Sequence, residues 1–432
     1  MTAPVVTIDK IGQYAGQEVT LQGWLFASTP RGRIAFLMIR DGTGVIQAVA
    51  VKKELDEDLF ERLRHLGQES SLIVTGIVKE DDRAKGGYEM VMTGAEIVSE
   101  AKDYPISPKE HGPNFLHNHR HLWFRSRRQQ AIMRIRHLCV QAIRNYFDDR
   151  GYMLMDSPIF TPNACEGTTT LFGTEYFGNT AYLSQSGQLY QEAGALAFGK
   201  TYCFGPTFRA EKSATRRHLT EFWMVEPEVA YADLEDIMSL CEDFLVEVVG
   251  FVVARGRSYL EDLERDISVL ENVQKPFPRM SYDEACSKLG ELGEPVDPED
   301  DFGAPHETKL TQQFDRPIMV HHFPTAIKAF YMKEDPDNAA RSLGVDVLAP
   351  EGYGEIIGGG QREDDLDTLI RKIHEHQLPM DAFEWYLDLR RYGSVPHGGF
   401  GLGLERLVCW VCGIRHIRET IPFPRTIDRL NP

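Results

Sequence analysis

Residues 208–228, FRAEKSATRRHLTEFWMVEPE, gather groups suited to a nucleotide. Arg209, Arg216 and Arg217 offer guanidinium forks that match phosphate oxygens. Phe222 offers a flat face for a base, and Glu211 a carboxylate that accepts from an exocyclic amine. Arg209 and Glu211 close one strand-like segment and Phe222 lies early in the next, so a polar loop containing His218 falls between them. Taken singly, each residue suits a charged hairpin with a solvated loop; taken together, they describe a phosphate, a base and an amine held side by side.

The elements that must position these groups fall into two patterns. Residues 17–98 carry short runs rich in β-branched and aromatic residues, broken by turns at Asp41-Gly42-Thr43-Gly44 and Lys85-Gly86-Gly87. The stretch 57–67 reads as a helix between strands. About five strands with one inserted helix predict an OB-fold, a small Greek-key barrel that often binds oligonucleotides. Residues 101–120 carry Pro105, Pro108 and Pro113 and read as linker. A long amphipathic helix follows at about 127–149, where Ile132, Ile135, Leu138, Cys139, Ala142, Ile143 and Tyr146 fall at helical spacing and Gly151 can end it. Strand-like segments then alternate with helices to the C-terminus. Segment 231–274 is helical and acidic, and 275–308 reads as a small insertion with its own helix, SYDEACSKLGEL.

Composition narrows the class. The 432 residues are 42% hydrophobic and 26% charged, ordinary for a soluble globular protein. Neither a basic-then-apolar leader nor a run long enough for a membrane span is visible, so the expected location is the cytoplasm and no membrane partner is expected. Seven scattered cysteines fit a reducing compartment, and Cys409 and Cys412, a lone CxxC, read as buried thiols on an apolar helix. A net charge of −18 argues against unspecific nucleic-acid binding. An RNA partner would need a local basic patch such as Arg31, Arg33 and Arg40.

The 208–228 run resembles motif 2 of the class II aminoacyl-tRNA synthetases: Arg-x-Glu, a variable loop, then Phe on the return strand. GYMLMDSPIF, with Pro158, resembles motif 1, which usually builds the dimer interface. GFGLGLERLVCW, with Arg406 on a Gly-rich strand-to-helix turn, resembles motif 3. The motifs stand in the family's order over some 270 residues, and the N-terminal barrel matches the subgroup for aspartate, asparagine and lysine. The resemblance implies an α+β chain: an OB-fold anticodon-binding domain at 1–100, a linker at 101–126, and a class II catalytic domain at 127–432, an antiparallel sheet flanked by helices. It implies ATP as substrate, Mg²⁺ as cofactor and a homodimer. Arg209 would hold the α-phosphate, Arg406 the γ-phosphate, and Arg217 and His218 the pyrophosphate end. Phe222 would stack on adenine and Glu211 read its amino group. Glu355, in GYGEIIGGG, matches the magnesium-ligand carboxylate, with Asp346 a second candidate. Adenylate formation needs no nucleophilic side chain, because the substrate's carboxylate attacks; catalysis is positioning plus electrostatic stabilisation.

SQSGQLYQE, residues 184–192, matches the subgroup's substrate element. Aspartate enzymes carry a lysine where this chain has Gln191, and a glutamine where it has Glu192. A carboxylate at 192 would accept from an asparagine amide and repel aspartate, while Arg362 would donate to the amide carbonyl. Glu166, in a loop that closes over the amino acid, would meet the α-ammonium; Gln188 would touch the substrate backbone and Glu226 line the amino-group side. The expectation is ligation of asparagine to tRNA(Asn), with a non-discriminating aspartate enzyme or an amidating paralogue as the alternatives. In the barrel, Phe36 and Gln47 match residues that read the central anticodon base, although Phe36 alone also suits a barrel core. The match departs at Thr29, where bacterial aspartate enzymes carry arginine, leaving Arg31 or Arg33 as the candidates for that role.

Overall fold

The computed structural model describes residues 3–84, 86–162, 170–213 and 215–432. They form two compact units, Met1–Leu116 and His117–Pro432. In the first, β1 (Glu18–Arg31), β2 (Ile34–Arg40), β3 (Val45–Val51), β4 (Ser71–Glu80) and β5 (Tyr88–Ser99) close a barrel in the order β1-β2-β3-β5-β4, with α1 (Glu57–Arg64) between β3 and β4. Strand alternation does the sorting. Ala35, Leu37 and Ile39 point into the core, whereas Ile34, Phe36 and Met38 stay half-buried on the other face. Asp56 caps α1 by accepting from the backbone of Asp58 and Leu59, and Phe60 and Leu63 of α1 join the barrel core.

The helix α2 (Pro113–Asn118) runs across the boundary between the units, and α3 (Arg120–Trp123) follows in the second. The stretch from 117 to 126 is anchored, not free: Arg120 is fully buried and donates to the carbonyls of Pro422 at 2.8 Å, Glu419 at 3.1 Å and Ile421 at 2.8 Å. Residues 101–116 group with the barrel. The long helix α4 (Arg127–Asp148) follows, its apolar face buried as the periodicity predicts. Then come β6 (Met153–Leu154), β7 (Phe160–Thr161), β8 (Gly173–Tyr176), β9 (Asn179–Leu183), α5 (Gln188–Phe198), β10 (Lys200–Phe208), β11 (Glu221–Ala230), α6 (Leu234–Asp262) and α7 (Ile267–Glu271). The C-terminal part runs β12 (Arg279–Ser281), α8 (Tyr282–Glu291), α9 (Ala304–Thr311), β13 (Ile318–His321), β14 (Glu334–Asp335), β15 (Asn338–Ser342), β16 (Gly344–Ala349), β17 (Gly354–Gln361), α10 (Leu366–Glu375), α11 (Met380–Arg391), β18 (His397–Gly403) and α12 (Leu404–Val411).

An eight-stranded, mostly antiparallel sheet in the order β12-β13-β16-β17-β18-β11-β10-β6 forms the frame. Residues of α4, α6 and α12 share one apolar core with the sheet residues Val225, Ile357, Phe400 and Leu402. The expected insertion at 275–308 is stitched to this sheet: β12 pairs parallel with β13, and α8 and α9 pack Tyr282, Leu289 and Leu310 with Ile318, Val320 and Phe323 of the following segment. At the sheet's centre β17 and β18 pair glycine on glycine, Gly358 with Gly401 and Gly360 with Gly399. Side chains could not replace them: a Cβ on Gly399 would lie 2.1 Å from the Pro227 carbonyl oxygen.

Candidate active site

Two adjoining cavities open on the sheet of the second unit. One, of about 340 Å³, is lined by Arg209, Glu211, Arg217, His218, Phe222, Glu355 and Arg406 among others. These are all the residues expected around ATP, contributed by the β10–β11 hairpin, by β17 and by the first turn of α12. The hairpin register pairs Thr207 with Phe222 and Phe208 with Glu221, so Arg209 and Phe222 emerge together at its mouth. The Arg209 guanidinium carbon lies 6.0 Å from the Phe222 ring centre. Buried Glu405 locks two of these elements, accepting from Trp223 N at 2.9 Å and from Arg136 at 2.6 Å.

At the far end, Arg217 donates to Glu307 at 2.8 Å, to Thr308 at 3.0 Å and to the Gly352 carbonyl. His218 contacts Ser213 and Thr215 through Nδ1; burial and nearby Arg406 push its pKa down and favour the neutral ring. Arg406 donates to the Glu355 carbonyl and carboxylate, both at 2.9 Å. Glu355 and Asp346 converge over a bare glycine: a Cβ on Gly358 would sit 3.0 Å from one carboxylate and 3.5 Å from the other. Lys328 holds Asp346 through both oxygens at 2.8 and 3.0 Å. Burial, partly offset by Lys328 and reinforced by Glu355, pushes the Asp346 carboxyl up to about 6. Two converging carboxylates that repel each other fit a hard divalent cation such as Mg²⁺, which takes oxygen ligands.

The second cavity, of about 410 Å³, is lined by Gln188, Glu226, Arg362, Asp346 and Lys328 and floored by Gly358, Gly359 and Gly401. Arg209, Met224, Glu355 and Gly401 line both cavities. Arg362 is aimed by a bidentate pair with Glu228, at 2.9 and 3.0 Å, and both side chains are buried. Among the described residues its remaining terminal nitrogen meets the Met332 sulfur at 3.9 Å. Glu226 accepts from Ser186 Oγ and from Gly187 N at 2.8 Å.

Glu192 is placed differently from the expectation. It does not line the cavity but lies one helical turn behind Gln188, fully buried. It accepts from Gln188 Nε2 at 2.9 Å, Tyr386 OH at 2.8 and 2.9 Å and Arg390 at 2.7 Å, and its Oε2 lies 2.9 Å from His397 Nε2. Although burial penalises its charge, Arg390 and His397 hold the carboxyl well below the usual range. Gln191 also turns away, donating to the Met155 carbonyl at 2.7 Å and to Ser157 Oγ at 3.1 Å. Glu166 lies outside the described residues. Tyr386, Arg390, His397, Glu228 and Lys328 complete the site and carry no motif that singles them out in the sequence. The spacing of Tyr386 and Arg390, four apart on one helix face, was the one local signal. Cys409 and Cys412 are buried in the core, as expected.

In the barrel, Phe36 and Gln47 line an open cavity of about 510 Å³ with Asp81, Arg83 and Glu89. Gln47 donates to Glu89 at 3.1 Å. Phe36 lies on the face away from the barrel core, and Thr29 is its cross-strand partner.

Comparison with known proteins agrees with this geometry. The family model for class II tRNA synthetases (D, K and N) matches residues 113–427, and that for the OB-fold nucleic acid binding domain matches 19–98. The chain is 56% identical over 439 residues to the asparagine–tRNA ligase of Koribacter versatilis (strain Ellin345), covering 100% of this chain and 99% of that protein. Asparaginyl-tRNA synthetase from Pyrococcus horikoshii, solved with asparaginyl-adenylate, superposes with a TM-score of 0.96 at 46% identity over 99% of each chain. The Entamoeba histolytica asparaginyl-tRNA synthetase, also with asparaginyl-adenylate, superposes at 0.90 with 30% identity over 100% of each.

Proposed function

This chain belongs to the class II tRNA synthetases of the aspartate, lysine and asparagine group, and from that premise we propose that it activates asparagine with ATP and transfers it to tRNA(Asn). The observation that carries the mechanism is the place of Arg209, on the boundary shared by the two cavities. A reaction joining a carboxylate to a phosphate must occur where the amino-acid and nucleotide spaces meet. There the asparagine carboxylate oxygen bonds to the α-phosphorus and the bond from that phosphorus to the α,β-bridging oxygen breaks, the oxygen leaving with pyrophosphate. Arg209 offsets the charge developing on the α-phosphate, while Phe222 and Glu211 hold the base and Arg217, His218 and Arg406 hold the departing end. Glu355 and Asp346 would hold Mg²⁺, which would neutralise phosphate charge and hold those oxygens in place. A terminal ribose hydroxyl of the tRNA then attacks the carbonyl carbon and AMP leaves.

Amide selection is assigned to the residues that reach the cavity. Arg362 donates to the amide carbonyl, and Glu226 accepts from its NH₂, so aspartate would set a carboxylate against Glu226. Glu166 would meet the α-ammonium and Gln188 the substrate backbone. Glu192 acts through Gln188. Glu192→Gln is therefore expected to lower thermal stability and raise KM for asparagine about tenfold, with KM for ATP and the preference over aspartate retained. Collapse of that preference would mean that Glu192 touches the substrate.

Charging total tRNA with labelled asparagine tests the reading as a whole. Acylated tRNA(Asn) is expected, with no product from labelled aspartate; labelling by aspartate instead would refute it. Phe36 on the outer face of the barrel supports stacking on the central anticodon base, with Gln47 and Glu89 reading its edge. Phe36→Ala should reduce charging roughly tenfold through KM for tRNA and leave adenylate formation intact. Equal loss in both steps would assign Phe36 a folding role. The chain is further proposed to act as a cytoplasmic homodimer through motif 1. Met153, Ile159 and Phe160 are 49%, 44% and 50% exposed there, and sedimentation at twice the chain mass is the direct check.

A further inference from the structure

We propose that a third cavity, behind the nucleotide cavity, is a binding site for the inorganic pyrophosphate product; the proposal rests on the reaction assigned above. This cavity, of about 290 Å³, is lined by Arg216, Arg217, Arg265, Arg406 and Arg415 and by one carboxylate, Glu351. Arg217, Arg406 and Ile417 line both it and the nucleotide cavity, whereas it shares no lining residue with the amino-acid cavity. The nucleotide cavity therefore adjoins each of the other two, through different residues. Arg209 marks the first boundary, and Arg217 with Arg406 marks the second. In an in-line displacement the leaving group departs on the side opposite the nucleophile. Arg217 and Arg406, assigned above to the departing end, are the residues through which the nucleotide cavity meets the third.

The charges are arranged for a small, dense anion. Arg265 is bound by Glu351 through two bonds of 2.8 and 2.6 Å, Arg217 by Glu307 and Arg406 by Glu355. No carboxylate is paired with Arg216 or Arg415 among the described residues, and both side chains are exposed. Five guanidiniums against three paired carboxylates leave two positive charges in a chain whose net charge is −18. Burial lowers the Arg217 pKa; Glu307 opposes the shift, and the neighbouring cations Arg216 and Arg406 add to it. Guanidinium forks match diphosphate oxygens, and this small basic pocket would concentrate that anion locally. Arg216 and Arg415 would take over the pyrophosphate as it passes Arg217 and Arg406.

The test is pyrophosphorolysis of enzyme-bound asparaginyl-adenylate by added pyrophosphate. Arg415→Ala and Arg216→Ala should each raise KM for pyrophosphate about tenfold, the loss of one charge-assisted bond, and the double variant should raise it further. Arg415→Lys should recover most of the affinity. In the Arg415 variants, single-turnover adenylate formation and KM for ATP should stay within about twofold of wild type. A second measurement needs no variant: pyrophosphate is titrated calorimetrically into enzyme filled with a non-hydrolysable asparaginyl-adenylate analogue, and binding is expected. Unchanged pyrophosphate KM, or no binding to the filled enzyme, overturns the proposal. So does a rise in KM for tRNA alone, which would give these arginines to acceptor-strand phosphates. The wild-type reaction separates the two levels: failure of wild type to exchange refutes the assigned reaction, whereas normal exchange with insensitive variants refutes only the third site.

Discussion

Replacing Arg209 with alanine is expected to lower asparagine-dependent ATP–pyrophosphate exchange about a thousandfold without changing thermal stability. Arg209 lines both the nucleotide and the amino-acid cavity and belongs to none of the apolar clusters of its unit. In the proposed reaction its fork meets the charge developing on the α-phosphate, so its removal is expected to cost the transition state more than the ground state. The loss should appear in kcat, with KM for asparagine little changed. Arg209→Lys should recover little, because a point charge cannot reproduce a planar fork. A loss of less than tenfold would place the α-phosphate elsewhere.

The second large effect is expected at Arg362. Arg362→Leu should reduce kcat/KM for asparagine about a hundredfold or more through the lost charged hydrogen bond. It should also destabilise the fold by about 3 to 5 kcal/mol, because Glu228 is left buried without its partner. The two effects can be separated. Arg362→Leu combined with Glu228→Leu should recover stability without recovering use of asparagine. If the double variant regains normal asparagine kinetics, Arg362 serves only as the counter-ion of Glu228.

The nucleotide half of the site was legible because its groups sit in short strings at strand ends. Arg209, Glu211 and Phe222 follow one hairpin, and once the hairpin pairs Thr207 with Phe222 they can only face the same mouth. Phe36 was ambiguous until strand parity placed it opposite the buried Ala35 and Leu37. The amino-acid half was less legible. Gln188 and Glu192 lie on the same face of α5, one turn apart, and periodicity does not say which turn reaches the cavity. What decides it is a set of partners remote in sequence: Tyr386, Arg390 and His397 close around Glu192 from 194 to 205 residues away. The same limit applies to 275–308. Its three-residue strand β12 is too short to see by pattern, yet its pairing with β13 builds that segment into the sheet and lets α9 carry Glu307 to Arg217.

The central claim is that this site activates asparagine and rejects aspartate, and ATP–pyrophosphate exchange with each amino acid in turn measures it most directly. Arg362 and Glu226, facing the cavity with a donor and an acceptor, predict exchange with asparagine and a rate with aspartate lower by a hundredfold or more. Exchange with aspartate as fast as with asparagine would contradict the account.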